Sequence, residues 1–181
     1  MHQGLNAYMT LEVAQCYLRR RDSYALEIFD SLWSMASPTL TYPEAINPVS
    51  GGGAYGDGHH GWAVAEFINF TRNLLLFEEG DRLVLLPVAR PEWFEPGKRI
   101  VVEEAPTLFG EFSYTVDCEA DAITFDLRGD LARPPSAIEL NVPFAITSCE
   151  ADGETVEIRE GAMSVDIRPS TGKVRLFLQR G

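Results

Sequence analysis

Glu44, Asp57, His59 and His60 are the residues of this chain whose types and spacing could do chemistry. Glu44 stands in Thr39-Leu40-Thr41-Tyr42-Pro43-Glu44, where a loop carboxylate between an aromatic and a proline could take a proton from water. The bland reading of such a residue is a solvated surface charge. Asp57, His59 and His60 fall within Gly51 to Trp62, GGGAYGDGHHGW, which holds two of the chain's three histidines. Glycines on either side let this backbone turn tightly and approach a ligand closely.

Three chemistries compete for the cluster. Metal binding would use Asp57, His59 and His60 with Glu44 as fourth ligand. Neighbouring histidines seldom reach one ion, and no helical H-x3-H spacing is present, so no metal is expected. A phosphate loop would need a Lys-Ser/Thr pair after the glycines and a strand before them, and both are missing. Nucleophilic catalysis would need a G-x-S-x-G elbow, which is also missing. What remains is hydrogen bonding to a polar ligand by Asp57 and one histidine, or one of these residues tying down the loop. Tyr42, Tyr55, Trp62 and Trp93 supply π faces suited to the C–H face of a sugar, with local packing as the rival explanation. No cofactor is expected.

The elements that must position these residues change type along the chain. Leu11, Ala14, Tyr17 and Leu18 share one helical face, with Thr10 as N-cap and Arg19–Arg21 at the C-terminal end. A second helix follows Asp22 or Ser23, its face formed by Ala25, Ile28, Phe29, Leu32, Trp33 and Ala36, and stops before Pro38. A third runs from Ala63 to Glu78, with Val64, Phe67, Ile68, Thr71, Leu74 and Leu75 inward. The 37–61 connection is far longer than the usual helix–helix loop of about 2–8 residues, which points to an ordered functional loop. Beyond Gly80 the apolar period falls to two. Strands are expected at 82–87, 99–103, 111–119, 122–128, 137–142, 145–149, 155–159, 163–168 and 174–179. The fold class is therefore α+β: about three N-terminal helices, residues 1–80, followed by an antiparallel β-sandwich, residues 81–181. Three strongly apolar helices beside a sandwich leave faces to be covered by the sandwich, an upstream segment or another chain.

Composition narrows the partners. A net charge of −12 argues against nucleic acid and against an anionic membrane surface. No apolar run approaches the roughly 18 residues of a membrane span. The start, MHQGLNAYMT, has neither the basic head nor the apolar core of a signal peptide, which leaves localisation open. Three scattered cysteines, Cys16, Cys118 and Cys149, make neither a CxxC pair nor an even framework, so reduced and mostly buried thiols are expected.

The order of these motifs is familiar. A helical pair, the Thr-x-x-Glu loop TYPEAINP, the Gly-rich GDGHHGW and the helix AVAEFINFTRNLLLFEEGDRLVLLP lead into a β-rich tail. This order resembles the C-terminal end of bacterial six-hairpin, (α/α)6-barrel glycoside hydrolases, closest to the α-L-rhamnosidase-like layout. The stretch VVEEAPTLFGEFSYTV is similar to their C-terminal sandwich domains. The resemblance covers nearly the whole chain and implies that Glu44 activates water as general base. It further implies that His59 or His60 contacts sugar hydroxyls and that Asp57 and Trp62 line the same pocket, to which Tyr42 and Tyr55 add their faces as candidate substrate-binding residues. The full barrel has about twelve helices, and the family's partner acid lies upstream of anything here. The implied function is thus the C-terminal portion of a glycosidase lacking its general acid. A second chain or an upstream segment would complete the barrel, and a non-catalytic carbohydrate-binding module is the alternative.

Overall fold

The computed structural model describes residues 4–179. His2, the third histidine, and the first residues of the N-terminal stretch read above lie outside them. The chain divides into two compact units, the first ending at Leu74 and the second beginning at Leu75.

The first unit contains β1 (Leu5–Asn6), α1 (Ala7–Arg19), α2 (Tyr24–Trp33), β2 (Ala45–Ile46), β3 (Gly53–Tyr55) and α3 (Gly61–Leu75). α1 buries Ala7, Leu11, Ala14 and Leu18, a stripe at three- and four-residue spacing. The helix starts before Thr10, which is therefore an interior residue and not its N-cap. Its end is a left-handed turn at Arg21, φ 60°, where the Asp22 N–H returns to the Tyr17 carbonyl at 3.0 Å. α2 opens where Asp22 Oδ1 accepts the Tyr24 N–H at 3.0 Å. Phe29 is the hub between helices: its ring centroid lies 5.0 Å from Phe70, 5.4 Å from Phe67 and 6.1 Å from Trp33.

α3 differs from expectation in face and in length. Its buried stripe is Ala63, Phe70 and Leu74, whereas Val64 and Ile68 are exposed. Phe70 takes the interior, where its ring stacks on Phe29. The helix stops at Leu75 rather than Glu78, because Leu76–Glu79 is a strand paired with Arg82–Leu85 across Gly80-Asp81. Gly80 sits at φ 63°, the conformation a tight hairpin turn requires.

The second unit contains β4 (Leu76–Glu79), β5 (Arg82–Leu85), a short 3₁₀ turn (Pro91–Phe94), β6 (Arg99–Thr107), β7 (Gly110–Cys118), β8 (Ala122–Asp130), β9 (Ala137–Asn141), β10 (Ala145–Ala151), β11 (Glu154–Val156), β12 (Ser164–Ile167) and β13 (Lys173–Gln179). They form a six-stranded sheet, β11-β10-β13-β8-β7-β6, and a four-stranded sheet, β12-β9-β5-β4. Every pairing is antiparallel except β5 with β9, which run parallel with Leu83 opposite Ile138 and Leu85 opposite Leu140. The chain is thus α+β with three α-helices among the described residues and mostly antiparallel sheets.

Period-two patterning feeds one core. Phe112, Tyr114, Val116 and Cys118 on β7, Ile123, Phe125 and Leu127 on β8, and Val174, Leu176 and Leu178 on β13 join Leu83, Leu85, Ile138, Leu140, Val165 and Ile167 of the other sheet in a single buried cluster. Each fully buried side chain of this size contributes about 1.5–3 kcal/mol. Pro106 is tolerated in β6 because that strand is the sheet edge. A bulge at Glu104, φ 52°, lets β6 run on to Thr107, past its expected end at Glu103. Arg82 on β5 reaches across the sheet to Glu139 of β9, at 3.2 Å, and to Asp166 of β12 beyond it.

Candidate functional site

A small three-stranded ribbon builds the site. β2 is its middle strand, pairing Asn6 with Ala45 on one side and Ala45 with Tyr55 on the other. That register brings Gly56 alongside Glu44. A Cβ added to Gly56 would lie 2.8 Å from the Glu44 Cβ and 3.2 Å from its backbone nitrogen. Glycine is therefore required here for space and for its φ of 72°. Beyond the ribbon, the His60 N–H donates to the Tyr42 carbonyl at 2.9 Å. The segment between these two anchors, Asp57-Gly58-His59, forms a short exposed loop closed by the His59 N–H on Asp57 Oδ1 at 3.3 Å.

The long connection is ordered by its own hydrogen bonds. Asn47 Oδ1 accepts from Val49 at 2.9 Å, and the Asn47 and Gly51 N–H groups close a turn with Gly52 and Asn47 carbonyls, each at 2.8 Å. Upstream, the Ser37, Thr39 and Thr41 hydroxyls hydrogen-bond one another at 2.9–3.2 Å.

His60 does structural work at the start of α3. Its carbonyl accepts the Val64 N–H at 3.2 Å, and its Nδ1 accepts the Ala63 N–H at 3.4 Å, the geometry of a side-chain N-cap. With Nδ1 engaged as acceptor, the neutral ring carries its proton on Nε2. Tyr8 of α1 completes the arrangement. Its ring stacks on Trp62 at 4.4 Å and 22° and lies 5.4 Å from the His60 ring.

The predicted residues separate into three groups. Glu44 is half-buried, and among the described residues no side chain engages its carboxylate. Asp57, His59, Tyr55 (68 % exposed) and Trp62 (54 % exposed) face solvent on the ribbon, its loop and the first turn of α3. Tyr42 does not belong with them: it is 1 % exposed, its ring lies 6.2 Å from Phe67, and burial raises its phenol above the usual range. Its backbone carbonyl anchors the loop while its side chain fills the interior. Trp93 stands on the 3₁₀ turn of the other unit, packed against the core there, as the packing reading requires. Tyr8 was missed by the sequence reading; extending the Leu11 helical face back by one turn would have found it.

Among the described residues no group of three or more His, Cys, Asp or Glu side chains could hold a metal ion, and no helix is long and apolar enough to cross a membrane. Cys118 and Cys149 are buried as expected, but Cys16 is exposed, because α1 turns Ala14 and Leu18 inward and leaves position 16 on the opposite flank. The β unit has two clefts of its own, about 620 and 470 Å³, with Asp166 on the wall of both; none of the predicted site residues lines either. Compared with models of known protein families the chain matches none, and no curated protein matches it in sequence.

Proposed function

We propose that the chain is the C-terminal portion of a glycoside hydrolase, with the first unit contributing one wall of a sugar subsite and the two sheets of the second packed as a β-sandwich. Glu44 is the general base, the ligand stacks on the exposed rings of Trp62 and Tyr55, and Asp57 and His59 hydrogen-bond its hydroxyls. The observation that carries this reading is the placement of Glu44, a half-buried carboxylate that no side chain engages among the described residues, its Cβ packed close to Gly56 beside the loop that bears Asp57 and His59. A glycosidase needs a second carboxyl group across the scissile bond. Glu12, Glu27 and Asp30 are exposed helix residues, so in this reading the general acid comes from an upstream segment or a second chain. The single carboxylate also favours the second reading, a carbohydrate-binding module without catalysis of its own.

Titrating the chain with a panel of methyl glycosides and short oligosaccharides, followed by ¹H–¹⁵N chemical shifts, tests the subsite. Saturable shifts at residues 55–62 that weaken at least tenfold in Trp62→Ala support it; no saturable binding across the panel overturns it. Glu44→Gln separates the two readings. Lost hydrolysis in the assembled enzyme, with sugar binding retained, identifies the base; unchanged hydrolysis removes that role and leaves the binding module.

A further inference from the structure

We propose that this wall selects uncharged sugars and rejects anionic ones; the inference rests on reading the site as a carbohydrate subsite. From Asp22 through Thr71 the chain has no Lys or Arg, yet this stretch supplies Glu44, Asp57 and every exposed aromatic of the wall. A carboxylate-bearing sugar is held by Arg or Lys, and by Arg bidentately. Here it would meet two carboxylates and no such cation from the same stretch.

The hydrogen-bonding inventory agrees. Nδ1 of His60 is spent on the Ala63 N–H, so its neutral ring offers one donor, Nε2–H, while the exposed neutral ring of His59 offers one donor and one acceptor. Glu44 and Asp57 offer acceptors only. A hydroxyl group, which donates and accepts, satisfies both kinds of partner, whereas a carboxylate in its place can only accept and cannot itself pair with Glu44 or Asp57. Apolar pyranose faces suit the exposed indole of Trp62 and ring of Tyr55.

The test uses the 181-residue chain at pH 8 with matched probes, methyl glucoside against methyl glucuronide and methyl galactoside against methyl galacturonide. Like charges about 5 Å apart near a protein surface repel enough to weaken binding severalfold to more than tenfold. The expected result is neutral sugars binding at least fivefold more tightly than their uronates, with Glu44→Gln narrowing that gap at least twofold by improving uronate binding. Uronates that bind as tightly as their neutral partners, or a gap that Glu44→Gln leaves unchanged, overturn the selectivity while leaving the subsite standing. Failure of all four probes and of the wider glycoside panel overturns the subsite itself and this inference with it. Long-range ¹H–¹⁵N spectra give a separate readout: the Nε2–H tautomer at His60 is expected, and an Nδ1–H tautomer overturns the donor assignment.

Discussion

Gly56 lies so close to Glu44 that any side chain at position 56 would meet the glutamate's Cβ at 2.8 Å. The close packing beside Glu44 therefore depends on a residue with no side chain of its own. Gly56→Ala forces Glu44 or the loop to move and places alanine at a φ of 72°, which alone costs about 1–2 kcal/mol. The expected outcome is lower stability by chemical denaturation and shifted amide resonances at 44 and 57–60. Gly58→Ala, where an added Cβ meets nothing within 4 Å, is the control and leaves these resonances in place.

His60 caps α3 through Nδ1. His60→Ala leaves the Ala63 N–H without its side-chain partner and costs about 0.5–2 kcal/mol. Asparagine is a good N-cap, so His60→Asn recovers most of that stability while removing the imidazole Nε2–H. Urea denaturation of the two variants, alongside their sugar titrations, separates the capping role from the ligand role.

Tyr114 is buried in the β core and its hydroxyl donates to the Leu75 carbonyl at 2.8 Å. Tyr114→Phe fills nearly the same space but strips the carbonyl of that donor. The carbonyl keeps the Leu86 N–H at 2.9 Å, so a loss of about 0.5–1.5 kcal/mol is expected for the one hydrogen bond removed, measured by denaturant midpoint at constant slope.

The thiols differ in reach. Iodoacetamide should label exposed Cys16 in the native protein and label Cys118 and Cys149 only after unfolding. Burial, with the neighbouring Glu150 charge adding to it, pushes the Cys149 thiol up to about 11. The unfolded thiol ionises near its ordinary value of about 8.5–9. Between that value and 11 the unfolded state holds fewer protons, so stability falls as pH rises, by at most about 1.4 kcal/mol per unit. Above pH 10 the phenols of Tyr114 and Tyr42, raised by burial, add a fall of the same sign. Cys149→Ala should flatten the slope between pH 9 and 10 and leave the steeper fall above it.

The strands were legible because Ile123, Phe125 and Leu127 alternate with Thr124, Asp126 and Arg128, a pattern a helix cannot use. All nine expected strands are present, with ends shifted by a few residues. β4 was hidden because Phe70, Leu74 and Phe77 keep helical spacing straight through the point where the backbone becomes extended. The ribbon was hidden for another reason. Strands as short as Leu5–Asn6 and Ala45–Ile46 carry no period, and their pairing is fixed by contacts between distant parts of the chain. Glu44 and the 57–60 loop were therefore readable as candidates, but their juxtaposition was not. Neither was the withdrawal of Tyr42, whose aromatic character suits a ligand face and a core equally well.

β13 lies in the middle of the six-stranded sheet, between β10 and β8, although it is the last strand along the described chain. During synthesis, β6–β7–β8 and β10–β11 can each form from near neighbours, but both wait with a bare edge until residues 173–179 exist. Unpaired edges are the surfaces on which nascent chains stick to one another. The last strand along the described chain is thus the keystone of this sheet. A chain interrupted between Val156 and Lys173 would lose more than one strand's worth of pairing: it would release two half-sheets, each ready to pair with its neighbours in the cell.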